Sequence, residues 1–375
     1  MATFAGAFVT GSTGLLGNSL VRTLVERGHR VKALARSRRK AAEQFAGLDV
    51  EVVEGDMSNV PAFQEALRGI DVLFHTAAYF RDSYKGGRHW DELYRVNVEG
   101  TEALLAAAYE VGVRRMIHTS SGGVLDGPPG GLIDETMGRS ESDANDYFRS
   151  KILTDRSIDV FLERHPDFDA TFVLPGFMFG PGDLGPTSSG QLVLDFVRKK
   201  VPGIVPGTFS VVDARDVAAC SIAAAERGRR GERYLCAGQH KTMAEILATI
   251  ERASGVKAPS LHLPMWLLFA IATGYEAYAR ISGQPVLISL ASVRLLAREN
   301  ERSRFNHAKT ERELGVHFRP FDETLADEIA WYREHGDLPP ASDVTTGTRA
   351  REPTASGASR PEVPGADRVG ELETS

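Results

Sequence analysis

The stretch VTGSTGLLG, residues 9–17, constrains this chain more than any other. A short β-branched run, AFVT, enters a turn holding Gly11, Gly14 and Gly17, and an amphipathic pattern, GLLGNSLVRTLVERG, leaves it. Glycine permits the tight turn and lets the backbone approach a pyrophosphate, which a helix N-terminus then stabilises. Thr13, Leu15 and Leu16 share that turn and join the glycines as candidate dinucleotide contacts. The G-x-x-G-x-x-G spacing is one residue longer than the usual dinucleotide fingerprint. A strand before it and a helix after it are the context that cofactor binding requires; a plain strand–helix turn is the alternative.

The rest of the first half keeps the same rhythm. Apolar runs RVKALA (30–35), VEVVEG (50–55), DVLFHTAA (71–78), RRMIHTSS (114–121) and ATFVLPG (170–176) alternate with helical patterns, one of which, VEGTEALLAAAYEVG, closes on Gly112. Such alternation predicts an α/β fold, a doubly wound Rossmann-type parallel sheet with helices on both faces. After Gly180 the pattern turns Gly/Pro-rich and then mainly helical. We expect a dinucleotide-binding domain over 1–180, a smaller substrate-side lobe over 181–338, and a disordered tail over 339–375, which has no aromatic residue.

The formal charge of −6 argues against a nucleic-acid or anionic-membrane partner. The apolar core of 264–281, Met265 to Ala272, is far shorter than the roughly 18–20 residues that span a bilayer, so a buried or surface-docking helix is expected there, and no integral membrane segment. Cys220 and Cys236 lack a CxxC or histidine context, which predicts reduced, structural thiols and a cytoplasmic address.

Arg36 closes the second strand, where an NAD-binding fold usually carries an acidic residue for the ribose 2′-hydroxyl. Arg38, Arg39 and Lys40 follow it. A guanidinium suits a 2′-phosphate, so NADP(H) is the expected cofactor, with NAD(H) retained as an option; a solvated arginine-rich loop is the alternative. Asp56, beside Met57 at the end of the third strand, is placed either for the adenine amino group or simply for a turn.

Within NDYFRSKILTD (145–155), Tyr147 and Lys151 lie on one helical face, roughly 6 Å apart. Locally that is equally a solvated surface pair. Together with TGSTGLLG, EGD, HTAA, VNVEGT, HTSS, LPGFMFGPGD and VDARDVA, however, the chain resembles the extended short-chain dehydrogenase/reductase family over about residues 5–336. It is most similar to dihydroflavonol-4-reductase-like and hopanoid-associated sugar-epimerase-like proteins.

The resemblance implies that Tyr147 and Lys151 are a catalytic pair and that Ser121, more than Ser120, completes the triad. It also implies that Ala77 and Ala78 line the cofactor cleft, that Pro175, Phe177 and Met178 back the nicotinamide, and that Lys151 holds its ribose. Asn97 is expected to be structural. Chemically, a free tyrosine titrates near 10, and a neighbouring ammonium and an oxidised nicotinamide should lower that value. Ser121 would hold the substrate oxygen as charge develops on it.

The fold is shared by reductases, epimerases and dehydratases, so it cannot choose among them. SSGGVLDG lacks the Asp-Glu pair of dehydratases, and Leu125 and Asp126 depart from the epimerase SSxxVYG. Tyr79, Phe80, Asp126, Phe179 and Arg215 are the candidate substrate contacts; Arg215 is an anion anchor or a partner of Asp213 or Asp216. The expected activity is NADP(H)-dependent reduction of a small apolar or aromatic carbonyl compound. A nucleoside-diphosphate-sugar epimerase with tightly bound NAD(P) is the second reading, and a non-catalytic NADP(H) sensor the third. No metal is expected, and the resemblance alone suggests a homodimer.

Overall fold

A computed structural model describes residues 4–80, 89–282 and 290–341. The first repeat is β1 (Gly6–Thr10), α1 (Leu15–Glu26) and β2 (Arg30–Ala35), followed by α2 (Arg38–Gln44), β3 (Val50–Glu54) and β4 (Val72–His75). Next come α3 (Trp90–Leu93), a π-helical turn over Tyr94–Glu99, α4 (Gly100–Glu110), β5 (Arg115–Thr119), α5 (Asp146–Arg164) and β6 (Asp169–Pro175). The remaining elements are β7 (Phe177–Phe179), α6 (Ser188–Val197), β8 (Thr208–Asp213), α7 (Ala214–Arg227), β9 (Arg233–Cys236), β10 (Gln239–Thr242), α8 (Met243–Ser254), α9 (Met265–Ser282), α10 (Leu290–Glu299), α11 (Ala308–Leu314) and α12 (Phe321–Glu334).

Seven parallel strands form the main sheet in the order β3-β2-β1-β4-β5-β6-β9. Its central strands are buried on both faces, which is why they read as unbroken apolar runs. In β1, Ala7 and Val9 pack with α1 and α7, while Phe8 packs on the opposite face with Leu104 and Leu105 of α4. The strand order reverses between β1 and β4, and the cleft opens outside the carboxyl ends of these strands, where an α/β sheet binds its ligand.

The division expected at residue 180 does not hold. Helix α7 packs against α1, and β9 pairs with β6 as the seventh strand, so the chain returns to the main sheet after leaving it. The second lobe is built from β7, β8 and β10, which form a three-stranded sheet, and from α6, α8 and α12 packed around Phe179, Ile246, Phe321 and Leu325. Helices α9 and α10 pair beside it. Leu268 and Ala272 of α9 are buried, whereas Trp266 is 70% exposed. Among the described residues no helix is long and apolar enough to cross a membrane. Cys220 and Cys236 are free and buried in the main core. Of the expected tail, residues 342–375 lie outside the described residues.

Candidate active site

The cleft, about 2340 Å³, runs from the glycine turn across the strand ends to α10 and α12. Gly11, Thr13, Gly14, Leu15, Leu16 and Gly17 form its first wall. Gly11 has φ +64°, and a Cβ there would lie 2.7 Å from Ala77 N. A Cβ on Gly17 would lie 2.2 Å from Gly11 O, so this turn closes onto its own helix only with glycine. At Gly14 a Cβ would meet nothing nearer than Gly11 O at 3.4 Å, and it would take up space in the cleft instead. Gly14 caps α1 without a side chain, and the first turn carries no acidic residue. The first amides of α1 are thus left for a ligand anion, and the turn fits a dinucleotide pyrophosphate.

Arg36, Asp56 and Met57 line the same end. Asp56 accepts from Ser58 N at 2.8 Å. Burial raises its carboxyl, but the Ser58 hydrogen bonds and the Arg36 and Arg95 charges outweigh that and hold it below the ordinary aspartate value. Arg39 is paired with Glu43 at 2.7 Å, whereas Arg36 has no such ion pair among the described residues.

Ala77, Ala78, Tyr79 and Phe80 continue the wall from the end of β4. Asn97, in the π-helical turn, accepts from Tyr79 N at 2.7 Å and donates to Tyr79 O at 3.2 Å and Ser150 Oγ at 3.0 Å. It clamps the wall to α5, which is the structural role expected of it. His75, 2% exposed, lies between Thr10 Oγ1 at 2.8 Å and Thr101 Oγ1 at 2.9 Å. Thr101 spends its proton on Asn97 O, so it accepts from His75 Nε2–H, and Nδ1 accepts from Thr10. Burial, then the neighbouring His118 and Lys151, keep this imidazole neutral.

Tyr147 enters from the first turn of α5, whose N-cap Asn145 accepts from Phe148 N at 2.7 Å. Its ring meets Phe80 edge-on at 5.2 Å, and Ser121, which caps a short 3₁₀ turn, lines the cleft with it. Lys151 is not on the cleft surface. It is 3% exposed and donates to Thr119 O at 2.8 Å, below the floor. Ser120 donates to Asp155 Oδ2 at 2.7 Å, so its hydroxyl is directed inward.

The protein by itself does not lower the Tyr147 pKa as expected. Burial pushes the phenol above its ordinary value, and the Asp155 charge adds to this. Burial also pulls Lys151 down to about 8, against the upward pull of Asp155.

Pro175, Phe177 and Met178 line the far wall. Phe179 does not. It is fully buried in the second core, with its ring 5.0 Å from both Phe177 and Phe321; Phe177 shares its face of β7 but lies nearer the cleft and shields it. Asp126 is also off the cleft: it accepts from Arg302 at 3.2 Å and lies 3.5 Å from Arg298. Arg215 lines the cleft edge but is held by Asp213 and Asp327, each at 2.7 Å, so it is no free anion anchor. Asp216 pairs with Arg319 instead. Sequence reasoning missed Phe148, Phe209, Leu295, Leu296 and Phe305, which complete the apolar wall. Phe148 adjoins Tyr147 and was there to be found; the others come from segments with no motif.

The family model for the NAD dependent epimerase/dehydratase family matches residues 7–237, from β1 to the end of β9. The chain belongs to this family. Sterol demethylase protein B of Methylococcus capsulatus is 37% identical over 331 residues, 88% of this chain and 98% of that protein. A 4-hydroxy-2-methyl-3-oxo-4-farnesyl-3,4-dihydroquinoline-1-oxide ketoreductase of Stigmatella aurantiaca is 33% identical, over 82% of this chain and 90% of its own. The crystal structure of gox2253 superposes with a TM-score of 0.75 at 32% identity, covering 88% of this chain and 99% of that one. Members of the family bind NAD(P), and the chain is an oxidoreductase of the extended short-chain dehydrogenase/reductase type.

Proposed function

We propose that this protein is a cytoplasmic, NADP(H)-dependent carbonyl reductase for an apolar ketone or aldehyde of aromatic or terpenoid character. One observation carries the reading. Tyr147 stands in a cleft walled by Phe80, Phe148, Phe177, Phe209 and Phe305, while the arginines brought there by the second half of the chain are already paired with carboxylates. Apolar walls with few free polar anchors suit such a carbonyl better than a nucleotide diphosphate. Two relatives' names agree: one is a ketoreductase of a farnesylated dihydroquinoline oxide, the other is named for sterol demethylation.

When bound, the cofactor would supply the hydride; the glycine turn and α1 would hold its pyrophosphate, Arg36 a 2′-phosphate, and Asp56 its adenine. Ser121 donates to the substrate oxygen, and Tyr147 passes it a proton. Burial keeps that phenol protonated, which is the form an acid needs. Lys151 stabilises the phenolate left behind.

The test is consumption of NADPH by the purified protein with a panel of aromatic, aliphatic and steroid carbonyl compounds. Tyr147→Phe should cut turnover by ~10²–10⁴-fold while NADPH still binds. Near-normal turnover in that variant would overturn the assignment. Tightly held cofactor with no carbonyl turnover, but interconversion of nucleotide sugars, would replace reduction by epimerisation.

A further inference from the structure

Beneath the cleft floor lies a polar cluster of which the reduction above uses only Lys151. Helix α5 buries Lys151 and, one turn later, Asp155 on the same face. Both meet the end of β5. Lys151 reaches Thr119 O at 2.8 Å, Asp155 Oδ2 accepts from Ser120 at 2.7 Å, and Asp155 Oδ1 lies 3.3 Å from His118 Nε2. Asp155 is 5% exposed and His118 1%. Neither His118 nitrogen, nor Asp155 Oδ1, has an aligned hydrogen-bond partner.

A buried ammonium whose hydrogen bond goes to a neutral carbonyl is costly unless a negative charge lies nearby. The titratable and charged groups facing this cluster are Tyr147 on α5, His118 on β5, His75 on β4 and Arg233 on β9. Burial, with the nearby positive charges of Lys151 and Arg233, keeps His118 neutral, and His75 is neutral as well. Arg233 is paired with Asp159 at 2.7 Å. Asp155 alone among them can answer the charge on Lys151.

We propose that Asp155 is a positioning residue, the buried counter-ion that keeps Lys151 charged and fixed against Thr119 O below Tyr147. Its consequence for turnover rests on the reductase reading; the electrostatic coupling of the two buried charges does not. Burial lifts Asp155 to about 6 and lowers Lys151 to about 8, so both are ionised between those values. The same carboxylate pushes the Tyr147 phenol further up, so one group sustains both the ammonium and the proton-donating phenol.

The pair leaves a signature in stability. A carboxyl raised on folding stabilises the fold as pH falls below about 6, and a lysine lowered on folding does so as pH rises above about 8. Melting temperature against pH, for the full chain without added cofactor, should therefore change shape in Asp155→Asn. The acid limb due to this residue should vanish, and the alkaline limb should start at a pH lower by ~1 unit. Asp155→Glu should restore the alkaline limb. A curve for Asp155→Asn that merely runs parallel to wild type would reduce Asp155 to a helix–strand staple and overturn the proposal. Should Asp155→Asn not fold, Lys151→Met gives the reciprocal reading: the acid limb moves to higher pH, and an unmoved limb overturns the pairing. With a reducible carbonyl compound in hand, the alkaline limb of turnover should move in Asp155→Asn as the stability limb does. If no carbonyl compound is reduced, the reductase reading fails while the melting curves still decide the counter-ion.

Discussion

Burial holds the Tyr147 phenol protonated, which suits a group that gives a proton to a carbonyl oxygen rather than one waiting to take it. On the proposed reading, Lys151 matters after the transfer, when its charge stabilises the phenolate. Reductive turnover should stay level through neutral pH and fall as pH rises through about 8, where Lys151 loses its proton. A pH profile of kcat falling only near the ordinary lysine value would contradict this. Arg36 is a second single-residue case. A hydrogen bond to a charged group contributes ~1.5–3 kcal/mol, so Arg36→Ala should weaken NADPH binding by ~10–100-fold and leave NADH almost unchanged, as measured by cofactor fluorescence titration. Equal losses for the two cofactors would return the basic run to the solvated-loop reading.

The glycine turn and α1 act as one element. Gly17→Ala would drive its Cβ against backbone atoms of Gly11 and Ser12, so both melting temperature and cofactor affinity should fall. Gly14→Ala, with no protein atom closer than 3.4 Å, should melt near wild type and lose affinity alone. Parallel thermal melts and titrations separate the two. Elements announced by several residues at once are legible in the sequence: α4 ends on the Gly112 turn, with Val113 N bonded to Ala108 O at 2.9 Å, as its pattern indicates. Strands β9 and β10 are not. Each is four residues long, and β10, Gln-His-Lys-Thr, has no apolar side chain. Such segments become strands only because a neighbouring edge is there to pair with.

For the molecule as a whole, the cleft depends on how its two parts are joined. Arg139, with its side chain 1% exposed, makes a bidentate pair with Glu299 of α10 at 2.7 and 2.8 Å and donates to Leu125 O at 3.2 Å. This ties the segment after β5 to the helix that carries Leu295 and Leu296 into the cleft. Removing one partner of a fully buried pair costs about 3–5 kcal/mol; Glu299 keeps 22% of its side chain exposed, so the charge left behind is partly solvated and the loss falls to about 1–3 kcal/mol. Arg139→Ala should lose stability on that scale in a denaturant melt and raise KM for an apolar substrate more than it lowers kcat. Stability unchanged within ~0.5 kcal/mol would place the pair among surface contacts.

The doubly wound sheet, the glycine turn and the Tyr-x-x-x-Lys pair are each written in residues close together in the chain, and so they can be read along it. Buried parallel strands leave apolar runs, tight turns leave glycines, and one helical turn brings Tyr147 and Lys151 onto one face. The other outcomes came from packing in three dimensions. It turned Phe179 into a core and left Phe177 at the cleft, and it occupied Arg215 with Asp213 and Asp327. It carried α7 and β9 back to the first sheet, and it set Asp155 against His118 and Ser120 beneath the floor. Those outcomes turn on which distant group occupies the space beside a side chain, and spacing along the chain carries no record of that.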